Sequence, residues 1–189
     1  MCHRNKRSNQ RGSQLPEFTA AIVLLVFVVF IPMLDLIILP VRWILAHEIV
    51  STYSRKLALC ETFSEAYDIM QADPSMATKL YRLGGVTVES VKMDLRVSRV
   101  FTTPHVEESV VVEFPNIVPK EWLPDGKKSP CTYTLELEVK STIAPAVLLS
   151  TKGVAVPGLT CPVPITITAA HEWENLGRNP LTGKYFLTE

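Results

Sequence analysis

The chain has 189 residues, 47% of them hydrophobic, which is enough for one modest domain plus an anchor. Its formal net charge of zero conceals an asymmetry: residues 1–12 carry Arg4, Lys6, Arg7 and Arg11 and no acid, leaving 15 basic against 19 acidic residues beyond them. A nucleic-acid binder concentrates basic charge on its folded domain, so nucleic acid is not an expected partner.

After this leader, Phe18–Leu39 contains one ionisable residue, Asp35. Twenty-two helical residues reach about 33 Å, against a bilayer hydrocarbon core of about 30 Å. A signal peptide has an apolar core of roughly 7–15 residues and a small-residue exit, and Pro40-Val41-Arg42-Trp43 is unlike such an exit. The sequence therefore predicts a retained transmembrane helix over 13–43, preceded by a cytoplasmic leader over 1–12 and followed by an outer portion. Arg42 and Trp43 are then expected at the outer membrane–water interface. Pro32 and Pro40 predict a kink or a loosened turn near each.

A helical stem is expected over 44–85. Ile44–Gln71 lacks glycine and proline, and Ile49, Tyr53, Leu57, Cys60, Ser64, Tyr67 and Met70 recur at spacings of three and four. Asp73-Pro74 ends that pattern, and a second short helix from Ser75 to Leu83 is closed by Gly84-Gly85. From residue 86 to 189 the period becomes two. Val91, Met93, Leu95 and Val97 alternate with polar residues, as do Tyr133, Leu135, Leu137 and Val139. Val110–Phe114 and Ile165–Ala169 read as two further strands, and the proline-rich Pro115–Pro130 segment between them as a loop excursion. Ile143–Pro164 is ambiguous between strand and helical turn. The expected fold class is α+β: an N-terminal transmembrane helix continuing into an extracytoplasmic helix packed on a small antiparallel β-sheet.

No cofactor or metal site is expected. There is no C-x-x-C pair, and neither His47-Glu48 nor His171-Glu172 continues to a second histidine. No G-x-S-x-G, P-loop or G-x-G-x-x-G stretch is present, and no nucleophile–base set assembles, so an enzyme is not expected. His171–Glu174 reads as a strand end or surface turn. Leu57-Ala-Leu-Cys60 is rejected as a lipoprotein box because Leu59 is too bulky. Cys131 and Cys161 lie in the exported half, where an oxidising compartment permits a disulfide. Such a bond would close a loop of about 30 residues and contribute about 3–4 kcal/mol; two buried free thiols are the alternative.

One further pattern combines the leader with the helix. Arg11-Gly12-Ser13, then Glu17-Phe18 opening an apolar helix, with Asp35 and Arg42 beyond, resembles the N-terminal region of TadE/TadG-type pseudopilins. These are pilin-like components of tight-adherence (Flp) pilus systems. Pro16 departs from the small aliphatic residue more frequent in that family, and Leu36–Val41 separates Asp35 from Arg42 by more than the usual distance. Only residues 11–42 carry the specific likeness. It implies processing by a prepilin peptidase between Gly12 and Ser13, with Glu17 and Phe18 completing the processing signal. It also implies an inner-membrane, single-pass protein, with pilin-like subunits and an inner-membrane assembly platform as partners. Subunit packing would use Ser13, Glu17 and Asp35, with the Ser13 amine of one subunit pairing with Glu17 of another. The alternative is an unprocessed signal-anchored envelope protein with a β-rich outer domain that binds a ligand or protein.

Overall fold

The computed structural model describes residues 14–100, 107–147 and 155–189; Gly12 and Ser13 lie outside them. Helix α1 (Gln14–Leu25) passes through a π-helical turn (Val26–Phe30) into α2 (Ile31–Ala58). The widened turn immediately precedes Pro32. Proline lacks an N–H and its ring crowds the carbonyl four residues back, here Val28, so one loosened turn is the local response. Pro40, in contrast, is absorbed without interrupting α2.

The expected continuous stem is broken. Helix α2 ends at Ala58, and α3 (Phe63–Ala72) starts afresh after Leu59–Thr62. The cause is a strong helix start. Thr62 Oγ1 accepts the Glu65 N–H at 3.1 Å, while the Glu65 carboxylate accepts the Glu61 N–H at 2.9 Å. This is a capping-box arrangement that makes a new N-terminus more favourable than helix continuation. Asp73-Pro74 then separates α3 from α4 (Ser75–Arg82), and Gly84 and Gly85, both at positive φ, turn the chain into the sheet.

The sheet contains β1 (Val86–Val100), β2 (Glu107–Glu113), β3 (Thr132–Ile143) and β4 (Val163–Glu172), in the order β2-β1-β3-β4 with every pairing antiparallel. The alternation foreseen in the sequence sets one apolar face. Met93 pairs with Leu137 and Leu137 with Ala169; Val91 pairs with Val139 and Val139 with Ile167. Against this face α2 lays Ala46, Val50, Tyr53, Ser54, Leu57 and Ala58, all buried at helical spacing. Three of these are small, which brings the helix backbone close to the sheet; the Ser54 hydroxyl reaches the Ala169 carbonyl at 3.5 Å.

The end of the core farthest from Asp35 is closed by aromatic residues. Phe63 meets Trp173 and Phe114 edge-on, each at 6.2 Å, and Tyr67 stacks on Phe114 at 4.4 Å. Trp173 is therefore core, not the surface turn residue suggested by its charged neighbours, and it is only 1% exposed. Burial pushes the Tyr53 hydroxyl up to about 12 and also raises that of Tyr133, whose O–H donates to the Trp122 carbonyl at 2.8 Å.

The Cys131–Cys161 disulfide is not formed, and both residues are free. Cys131 immediately precedes β3, whereas Cys161 lies two residues before Val163, the partner of Ile143 at the other end of that strand. Twelve strand residues separate the two ends by roughly 40 Å, far beyond disulfide reach.

Candidate functional site

The outstanding surface of the molecule is the first half of its long helix. Every residue from Pro16 to Phe30 is exposed, including Phe18, Val23, Phe27 and Phe30. Pro16–Ala58 is long and apolar enough to cross a membrane. Glu17 lies in the first turn of α1, where a carboxylate favours the positive end of the helix dipole. Both Glu17 and its neighbour Phe18, which is 66% exposed, lie on the exposed surface of the helix.

Partial burial starts at Ile31 and Pro32, and Asp35 is wholly buried. Asp35 Oδ1 accepts two backbone N–H groups from the segment after β3, Ala146 at 2.6 Å and Val147 at 3.3 Å. Two turns along, Arg42 donates from Nη1 to the Ala144 carbonyl at 2.5 Å. The Ala144 N–H in turn donates to the Gly85 carbonyl at 2.6 Å. Glycine is favoured at 85 by its φ of +78°, and an added Cβ would lie 2.9 Å from Arg42 Nη1, which would have to shift. Asp35 and Arg42 thus form a collar that fastens the strand ends Val86 and Ile143 to the helix.

This collar revises the individual roles of the sequence-predicted residues. Asp35 has its contact within its own chain, and Arg42 is half-buried against Ala144 instead of reaching outward. Trp43 does face outward, 45% exposed, with the His47 ring 5.7 Å away. Glu17 and Asp35 are not brought together, being 18 positions apart on the helix. The sequence held no signal for the collar, because its partners are backbone groups more than 100 residues away.

The collar covers only one side. On the opposite side of α2, Leu34, Leu36, Ile37, Val41, Ile44 and Leu45 stay exposed. Exposed apolar side chains therefore run from Phe18 to Leu45, a helical length of about 42 Å.

A cleft of about 520 Å³ lies between the Pro115–Pro130 excursion and the C-terminal segment. The Arg178 guanidinium bridges its walls, with the Asp125 carboxylate at 2.6 Å and the Tyr185 hydroxyl at 3.1 Å. His171, on β4, shares a hydrogen bond of 3.2 Å with the Ser51 hydroxyl across the helix–sheet interface. Among the described residues no group of three or more His, Cys, Asp or Glu side chains is placed to hold a metal ion.

These features define an α+β protein with one long, apolar N-terminal helix and an antiparallel four-stranded sheet clamped to that helix's second half. Compared with known proteins, the chain matches no family model, no curated protein and no solved structure.

Proposed function

We propose that this chain is a membrane-anchored, pilin-like subunit of the TadE/TadG type, processed between Gly12 and Ser13 and acting non-enzymatically in pilus assembly or secretion. The basic leader keeps residues 1–12 in the cytoplasm and the sheet domain outside. One observation carries the reading: the exposed apolar surface of the helix is longer on one side than the hydrocarbon core of a bilayer. Pro16–Leu34 amounts to about 29 Å of helix, enough to fill the hydrocarbon core of about 30 Å. The collar at Asp35 then marks the outer boundary, because backbone groups of the outer domain start there. Leu36, Ile37, Val41, Ile44 and Leu45 continue above that boundary, facing away from the domain. Submerging them as well would require a tilt of about 45°, beyond the usual range of 0–40°, and would pull the collar into lipid.

A neighbouring helix supplies what lipid does not. Leu34, Ile37, Val41 and Ile44 fall at alternating spacings of three and four, the pattern of a helix–helix seam. Glu17 gives such an assembly its register: a carboxylate in an apolar setting favours the arrangement that supplies a cation, and the Ser13 amine of a processed neighbour is one.

Disulfide trapping in native membranes tests the seam, using full-length protein with its four native cysteines replaced by serine. Cysteines at Ile37 or Ile44 are expected to give covalent dimers on mild oxidation, and one at Thr168, on the exposed face of β4, is not. Absence of dimers at both helix positions would contradict the seam and favour the signal-anchored alternative.

A further inference from the structure

We propose that the distal tip is a homotypic docking site, in which Leu181 of one copy seats in the cleft of a second copy and the exchange is reciprocal. The inference rests on membrane anchoring of both copies in one bilayer, and not on processing or on the helix seam.

The knob is the turn Arg178–Gly183. Leu181 at its apex is 93% exposed, the most exposed large apolar side chain among the described residues. A single exposed leucine is ordinary, but this one is held out by a pre-ordered turn. The Leu181 N–H donates to Asn179 Oδ1 at 2.9 Å, the Gly183 N–H to the Asn179 carbonyl at 2.8 Å, and the Asn179 N–H to the Lys184 carbonyl at 2.8 Å. Gly183 supplies the positive φ of +73° that closes the turn. Little conformational freedom remains to be lost when such a side chain docks.

The hole adjoins it. Ile117, Val118, Leu123 and Tyr185 line the cleft, with Lys120 and Lys184 also in its wall, and Ile117 is 65% exposed. Its volume of about 520 Å³ lies in the range that encloses bound groups, with room for Leu181 and its proline neighbour. Charge agrees with the match. The Glu189 side chain is tied to the knob by Asn179 Nδ2 at 2.7 Å and by the Thr182 hydroxyl, so a carboxylate travels with Leu181 toward a facing wall that carries Lys120, Lys184 and Arg178 beside one carboxylate, Asp125, already paired with Arg178. The Thr182 contact holds the Glu189 carboxyl below its usual range, keeping it ionised.

Geometry selects the second copy. Arg178 and Gly183 belong to both the turn and the cleft wall, so knob and hole sit side by side on one face of the tip. Two copies anchored by the same helix present these tips at equal height. A twofold axis along the membrane normal then pairs each knob with the other's hole, as an isologous contact requires. This pairing is closed and limited to two copies, which makes it distinct from an open helical array.

Photo-crosslinking of full-length protein in native membranes tests the contact. With p-benzoylphenylalanine replacing Leu181, irradiation is expected to yield a covalent dimer whose crosslink maps by mass spectrometry to residues 117–123 or to Tyr185 of the other copy. Ile117→Arg, at a side chain too exposed to matter for folding, is expected to lower the dimer yield at least tenfold while leaving disulfide trapping at Ile37 unchanged. Crosslinks only to lipid or to other proteins would overturn the proposal, as would a dimer yield indifferent to Ile117→Arg. Loss of the Ile37 dimer with retention of the Leu181 crosslink would instead reject the helix seam alone.

Discussion

At the scale of single residues, Asp35 shows how a carboxylate can be retained in an apolar helix. An acid at the centre of a membrane helix costs roughly 2.5–3.5 kcal/mol on insertion scales, and less toward an end, where Asp35 lies. Here two backbone donors that would otherwise be unsatisfied reach Oδ1 and offset part of that cost, while Oδ2 is buried without a hydrogen-bond partner among the described residues. Asp35→Ala is expected to weaken the collar by about 1–3 kcal/mol, the cost of stranding buried donors. Hydrogen exchange followed by mass spectrometry should show faster exchange at Ala146 and Val147, with the centre of β3 unchanged; Asp35→Asn, which retains an acceptor oxygen, should lie between the two. A second residue-scale prediction concerns acid. The Lys56 ammonium, 2.9 Å away, together with the Ser75 N–H, holds the Asp73 carboxyl down at about 2. Because this folded-state value is depressed, its stabilising contribution is present above roughly pH 4 and disappears as pH falls through about 2. Asp73→Asn should therefore flatten that part of the acid-unfolding profile, read by circular dichroism. Both acids were visible in the sequence, but only Asp73, as a helix stop before proline, had a legible local role.

At the scale of elements, period-two alternation identified β1 and β3, because one face of each is committed to the core and the other to water, and short runs rich in β-branched residues marked β2 and β4. The short helix Ser75–Arg82 and its glycine stop were legible for a similar reason: amphipathic spacing and positive φ are local properties. The break after Ala58 was not foreseen, although Thr62-Phe-Ser-Glu65 contains the signal. The apolar stripe continues in phase across the break, so periodicity concealed the cap. Thr62→Ala removes the acceptor for the Glu65 N–H and is expected to cost about 1 kcal/mol in thermal or chemical unfolding. The cysteines illustrate the opposite limit. Spacing allowed a disulfide, and only strand register separates Cys131 from Cys161. Replacing both with serine should change stability by less than about 0.5 kcal/mol, against the 3–4 kcal/mol expected from loss of such a crosslink. Alkylation of the unreduced protein should label both.

At the scale of the whole molecule, the packed helix–sheet unit displays two separate apolar surfaces: the long helix face away from the collar and the cleft with its knob at the distal tip. Neither was legible as a site in the sequence. The helix looks uniformly apolar until the fold covers one side from Asp35 onward, and the cleft joins segments separated by more than 50 residues. What the sequence did carry was the order of parts: basic leader, glycine, acid, then apolar helix. That order is the basis on which processing is proposed, and the proposal differs from a plain anchor in requiring a specific new N-terminus. The most direct test is the intact mass, with N-terminal sequencing, of the protein recovered from membranes of its own host. The account predicts a chain beginning at Ser13, and one that begins upstream when Gly12→Leu is introduced. A chain that retains residues 1–12 in cells with an active prepilin peptidase would contradict it.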